Sequence, residues 1–155
     1  MRINLKTLNR TCGECTLCCK LLGVTELQKV PNKYCDHAKK SKGCEIYDTR
    51  PETCRQFNCL WLKGLFDDSH QPHKIHGVAG PSSDGQHLII WEDPGYPGVA
   101  TSKLQSVINK VVIDGTKIVI VVCGNKRSFF GNPAIAEAII NNWKENGQDQ
   151  TANLP

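Results

Sequence analysis

At 155 residues, with a formal charge of +4, 39% hydrophobic and 22% charged residues, the chain is the size of one ordinary domain and can bury a core without cross-links. Its first ten residues hold no signal-like apolar run, and no stretch approaches the roughly 20 apolar residues of a membrane span. A soluble, cytoplasmic protein with reduced thiols is expected, with no membrane partner.

The first part of the chain, 1–62, is loop-rich and carries eight of the nine cysteines. They are Cys12, Cys15, Cys18, Cys19, Cys35, Cys44, Cys54 and Cys59, and Cys123 lies outside. An odd total does not suit a closed disulfide set, and clustered cysteines in a cytosolic chain favour metal ligation. Two residues between cysteines let one short turn aim both sulfurs at a common centre, as in zinc knuckles and iron–sulfur loops. Cys12, Cys15 and Cys18 repeat that step, and Gly13 gives the turn its backbone freedom. The alternative is a set of buried free cysteines, but two such steps in series are hard to explain by packing.

Adjacent Cys18 and Cys19 point to opposite faces of an extended segment, so they are expected to serve different centres, or one is not a ligand. Eight thiols suffice for two four-thiolate sites, one cluster plus one zinc site, or one shared polynuclear centre. A short amphipathic stretch, Thr25 to Val30, suggests a helical turn or two before Pro31. The formal +4 counts thiols as neutral; eight thiolates holding two divalent ions bring the total to zero. The basicity is then no argument for a nucleic-acid partner. Lys20, Lys39, Lys40, Lys42, Arg50 and Arg55 are candidates to offset thiolate charge.

The second part, 63–146, reads as α+β. His73 to Ala79 and Gln86 to Trp91 suit two antiparallel strands joined by a turn over Gly80–Gly85. Asp93 to Gly98 is a loop. Ser102 is placed to cap a helix to about Ile113, with Leu104, Val107, Ile108, Val111 and Val112 at helical spacing and Gly115 just past its end. Lys117 to Cys123 is a β-branched run suited to a buried strand. Asn132 and Pro133 read as N-cap and first residue of a last helix, with Ile135, Ile139, Ile140 and Trp143 facing the core. One domain over 1–155 is expected, with a frayed polar tail at 147–155.

Other polar residues carry weaker signals. His70, His73 and His76 recur every third residue, but the local pattern is loop entering strand, so solvated loop histidines are expected. Cys123 reads as a buried structural thiol. Gly124 to Ser128 reads as a simple turn. Asp67–Asp68 and Glu92–Asp93 read as solvated turn carboxylates.

Two segments together carry a family resemblance. Cys12, Cys15, Cys18 and Cys19 spell CxxCxxCC. Cys44, Ile46, Tyr47, Arg50, Pro51, Cys54, Arg55, Phe57 and Cys59 spell CxIYxxRPxxCRxFxC. Both resemble the signatures of the YkgJ-like cysteine-cluster family, a widespread bacterial family described as zinc- or iron-chelating. The likeness covers about residues 12–62. Cys35 fits that family's isolated cysteine, while Asp36 and His37 stand where relatives often carry aromatic residues or leucine, which raises His37 as a further ligand. The resemblance implies metal chelation and says little about substrate.

The second motif also makes physical sense. Pro51 fixes the backbone ahead of Cys54. Arg50 and Arg55 can donate to anionic thiolates, the alternative for each being a surface ion pair. Ile46, Tyr47, Phe57, Trp61 and Leu62 can wrap the site in apolar surface.

The expected fold is α+β, a metal-stabilised, loop-rich cysteine module packed on a small antiparallel sheet with two helices. The expected function is binding of zinc or iron, with an iron–sulfur cluster such as 4Fe-4S included, through Cys12, Cys15, Cys18, Cys19, Cys35, Cys44, Cys54 and Cys59. If closed zinc sites are structural, the C-terminal half is left to meet a protein partner. An iron–sulfur redox, electron-transfer or accessory protein is the alternative, and a metal-dependent enzyme using His37 a weaker one.

Overall fold

Two apolar segments are too continuous to be half-exposed strands, and both lie at the centre of a sheet. The computed structural model describes residues 10–147. In chain order it contains α1 (Leu17–Leu21), β1 (Ala38–Lys39), β2 (Gly43–Cys44), α2 (Glu52–Gln56), α3 (Pro72–Ile75), β3 (Gly77–Pro81) and β4 (Leu88–Glu92). There follow α4 (Val99–Lys103), α5 (Gln105–Val112), β5 (Ile118–Cys123), β6 (Lys126–Gly131) and α6 (Pro133–Asn146). Short 3-10 turns lie at Thr25–Leu27, Tyr47–Thr49 and Asp68–His70.

The main sheet has the order β3-β4-β5-β6, and β1 pairs with β2 in a separate two-stranded ribbon. The architecture is α+β. The sheet is mixed rather than all antiparallel, because β4 and β5 pair in parallel. The α4–α5 segment between them is the crossover such a pair needs. Six helices form among the described residues instead of two, most of them a single turn or little more.

Alternation sorts the strand residues onto two faces. Leu88, Ile90, Val119 and Val121 join one core with Ile75, Leu104 and Ile108, under α3, α4 and α5. Ile89, Trp91, Ile118, Ile120 and Val122 join the other, with Leu21 and Leu22 of the α1 region. Cys18, Phe57, Cys59, Ile135, Ile139 and Trp143 pack against this second core. The cysteine-rich segment and α6 therefore share one face of the sheet.

Several elements differ from their sequence reading. His73 lies in α3, not in a strand, because Pro72 starts a helical turn that ends at His76 in the left-handed conformation. Gly80 and Pro81 belong to β3. Ser102 lies inside α4 rather than capping a helix, since the helix begins at Val99 after left-handed Gly98 and is interrupted at Leu104. The turn expected from Gly124 to Ser128 forms at Gly124 and Asn125, and strand β6 starts at Lys126 within the expected range. It is a half-buried edge strand whose Lys126, Arg127 and Ser128 hide its pattern. The Asn132 cap forms as expected, with its side chain accepting from the Ala134 amide at 3.0 Å. On α6, Ala136 rather than Ile140 packs on the core beside Ile135 and Ile139. Of the tail 147–155, only Gly147 lies within the described residues, where it closes α6. Among the described residues, no helix is long and apolar enough to cross a membrane.

One buried ion pair fastens the cysteine segment to the sheet. Lys20 on α1 donates to both carboxylate oxygens of Asp93, at 2.8 and 2.7 Å, and the Asp93 side chain is 6% exposed. Burial pushes the Asp93 carboxyl up, but hydrogen bonds from Lys20 and the Gly95 amide, with the charges of Lys20 and His76, hold it below its ordinary range. Asp93 is thus no solvated turn residue. Neither is Glu92, which is 4% exposed and accepts from the Gly98 and Thr101 amides and the Thr101 hydroxyl. The Asp93→Ala variant strands the Lys20 ammonium and is expected to lose about 3 kcal/mol in urea unfolding, the lower end for breaking a buried pair. Because the folded pKa is depressed, the wild-type advantage over Asp93→Ala is complete above about pH 4 and shrinks as the pH falls below that.

Candidate metal centre

The first cysteine segment is a turn followed by a helix. The Cys15 amide bonds the Cys12 carbonyl at 2.8 Å, across Gly13 at φ 50°. Cys18 and Cys19 then sit side by side on α1. They are helical neighbours rather than members of an extended segment, and each thiol acts on the other's ionisation. Both line the larger cavity, but their other surroundings differ. Cys18 packs on the second core, while Cys19 feels the charges of Lys29 and Arg50.

Three later segments close around α1. The Cys35 amide bonds the Cys19 carbonyl at 3.0 Å. The β1–β2 ribbon, paired Ala38 to Cys44, brings Cys44 in. Helix α2 starts after Pro51 and carries Cys54, and Phe57 at its end meets Trp91 edge-on at 6.0 Å. Cys59 follows and packs against the second core.

The eight N-terminal cysteines meet at two adjoining cavities. One, of about 60 Å³, is lined by Cys12, Cys15, Cys18, Cys19, Cys35, Cys44 and Cys54, with Ile46, Tyr47, Arg50 and Phe57 in its wall. The other, of about 30 Å³, is lined by Cys12, Cys15, Cys18 and Cys59, with Phe57, Trp61, Leu62 and Val78 in its wall. The expected apolar wrap is thus in place. Volumes of a few water-sized spheres admit small ions and not an organic substrate. The nine cysteines are all free thiols. Among the described residues, no group of three or more His, Cys, Asp or Glu side chains is already poised to hold a metal ion. The donor chemistry suits a soft or borderline cation, and loading one requires the thiols to turn toward each other.

Burial keeps most of these thiols protonated. It pushes Cys15 and Cys54 up to about 11, with neighbouring thiolates adding to the effect, and it raises Cys44 and Cys59 too. Cys18 is driven well up by the neighbouring Cys19 thiol and by burial. Cys19 is drawn down to about 7 by the Cys18 thiol and, against burial, by Lys29 and Arg50.

The basic residues divide by role. Arg50 lines the larger cavity, lies over the Tyr47 ring at 3.6 Å and donates to the Tyr47 carbonyl. Arg55 makes an exposed pair with Glu52. Lys39 pairs with Glu45 at the surface, and Lys20 with Asp93. Lys29, which the sequence did not single out, acts on Cys19, Cys35, Cys18 and Cys54. It donates to the Lys20 and Leu22 carbonyls at the end of α1. Only its fold-back against Val24, through a pair of backbone bonds, brings it there.

Among the histidines, His73 lines a wider cavity, of about 480 Å³, together with Cys12 and Cys15. His37 is half-buried and lines neither of the two smaller cavities. His70 pairs with Asp67, His73 is exposed on α3, and His76 stacks on Tyr96 at 3.7 Å. Cys123 is half-buried rather than buried, beside Glu92 and Asp93, with its thiol raised chiefly by burial.

No family model, curated protein or solved structure matches the chain.

Gly43 decides whether the cysteine segments can close up. It is buried at φ 95°, and a Cβ there would stand 2.3 Å from the Gly13 carbonyl oxygen. Gly85 also has a positive φ, 71°, but faces open space. Gly43→Ala is expected to cost more than the roughly 1–3 kcal/mol of backbone strain alone, and Gly85→Ala no more than that strain. Urea midpoints of the two variants, measured side by side, test the difference; equal losses would contradict the close approach.

Proposed function

We propose that this protein binds zinc or iron through the thiolates of Cys12, Cys15, Cys18, Cys19, Cys35, Cys44, Cys54 and Cys59. The observation that carries this reading is the gathering of eight thiols from separate short segments around two small, apolar-walled cavities. Packing alone gives no reason to collect so many thiols at one place, where burial and mutual charge oppose their ionisation. A bound cation supplies that reason, because it replaces the protons and stabilises the thiolates. The likeness of the two cysteine motifs to the YkgJ-like family points the same way.

The cavity sizes favour separate ions over a bulky cofactor. Closed four-thiolate zinc is structural, and it would order a segment whose own elements are only one or two turns long. The protein would then act through its remaining surface as a module for a protein partner. A second reading draws on one observation: Cys12, Cys15 and Cys18 share their cavity with a remote fourth thiol, Cys59. That is the donor set of an iron–sulfur cluster, and it suits an electron carrier.

The test is elemental analysis with an optical spectrum on protein purified without oxygen. Zinc near two per chain and no colour is expected. Iron with matching sulfide and a visible band selects the cluster reading. Protein that holds no metal, and that keeps its circular dichroism and thermal midpoint after chelation, rejects both.

A further inference from the structure

The two cavities share three thiols, but their remaining thiols do not mix. Cys59 lines only the smaller cavity, with Cys12, Cys15 and Cys18. Cys19, Cys35, Cys44 and Cys54 line only the larger one. The electrostatics follow the same division. Cys15 feels Cys12 and Cys59, and Cys59 feels Cys12. Cys44 and Cys54 each feel Cys19 and Cys35. Cross-talk runs through α1, where Cys18 and Cys19 meet and Cys19 also acts on Cys15.

On the reading that the thiols bind metal, we infer that they form two separate four-thiolate sites, Cys12/Cys15/Cys18/Cys59 and Cys19/Cys35/Cys44/Cys54, with the Cys18–Cys19 peptide as their dividing wall and Lys29 and Arg50 as the charge partners of the second site. The vicinal pair is what makes the division possible. Both start from the same turn of helix, yet Cys18 packs on the sheet core while the Cys19 carbonyl accepts from the Cys35 amide, and Cys19 lines only the larger cavity.

The two sites differ in their surroundings. Loading four protonated thiols with a divalent ion releases four protons and leaves a net charge of −2. At the second site that charge is created beside two cations, Lys29 and Arg50. At the first it is created against Trp61, Leu62 and Val78, with Phe57 shared between the two walls and no cation among the described residues lining the cavity. Low-polarity walls do not compensate a charge. The second site is therefore the tighter one, and Lys29 is a positioning residue that acts through the thiolates and touches no metal.

Full-length protein loaded with zinc, read by native mass spectrometry and metal analysis, tests the division. Wild type is expected to hold two zinc ions, Cys59→Ser one, Cys44→Ser one and the double variant none. A single variant that loses both ions, or keeps both, overturns the division in favour of a shared centre, as does a wild type that holds any number other than two. Wild type without metal rejects the underlying reading instead. If a variant fails to fold, stepwise cobalt(II) loading of wild type asks the same question. A four-thiolate spectrum that doubles unchanged from one equivalent to two supports separate sites, and new bridging-thiolate bands at the second equivalent overturn them. Competitive chelation then tests the asymmetry. Lys29→Met should weaken the tighter site by roughly tenfold or more, leave the weaker one unchanged and be rescued by Lys29→Arg. Equal weakening of both sites assigns Lys29 a purely structural role and overturns that part.

Discussion

Everything about the cysteine centre depends on its docking to the second face of the sheet. Residues 12–62 have almost no regular structure with which to hold a shape. They borrow one from β3, β4 and β5, through Leu21, Leu22 and Phe57 packed on Val78, Ile89 and Trp91. Gly80 makes room for this contact, since a Cβ there would lie 3.2 Å from the Trp91 ring and 3.3 Å from that of Phe57. The Lys20–Asp93 pair fixes α1 along the same face. With α1 and Phe57 placed, Cys18, Cys19, Cys54 and Cys59 are placed too, because each is within a few residues of an anchored side chain.

The docking creates an electrostatic problem that only the thiols' chemistry resolves. A thiol in an apolar wall stays protonated, and each neighbouring thiolate makes the next ionisation harder. On the proposed metal-binding reading, eight such groups around two small spaces would exchange their protons for cations. Hence the described side chains can lie together without converging: neutral thiols have no reason to crowd a common point. On the metal-binding reading, convergence would belong to the loaded state, where a cation would offset both desolvation and repulsion.

The sequence carried much of this because its strongest signals are local. The apolar run Leu88 to Trp91 and the β-branched run Ile118 to Val122 describe strands whatever surrounds them, and Asn132–Pro133 announces a helix by capping chemistry alone. The apolar residues of the second motif, from Ile46 to Leu62, do line the cavities, since their spacing ties them to Cys44, Cys54 and Cys59. What stayed hidden depends on distant partners. Strand β6 is a strand because β5 needs an outer neighbour, and its polar half gives no period. Glu92 and Asp93 look like turn carboxylates until Thr101 and Lys20 arrive from other segments. The parallel register of β4 and β5 follows from where α4 and α5 pack.

Lys29 was the least legible residue and ties these threads together. No motif surrounds it in sequence, and only the left-handed Gln28 and the Val24–Lys29 bridge turn it inward. There it meets two demands at once. Its ammonium holds the last carbonyls of α1, which positions Cys18 and Cys19, and it faces the thiols themselves. Burial lowers its pKa to about 8, while Cys19, Cys35 and Cys54 pull the other way. A half-buried cation and a group of half-buried thiols are each costly alone and compensate each other once the thiols ionise. The lysine's charge is therefore best satisfied in the state in which the thiols carry theirs, and the same side chain ties that state to the placement of the helix.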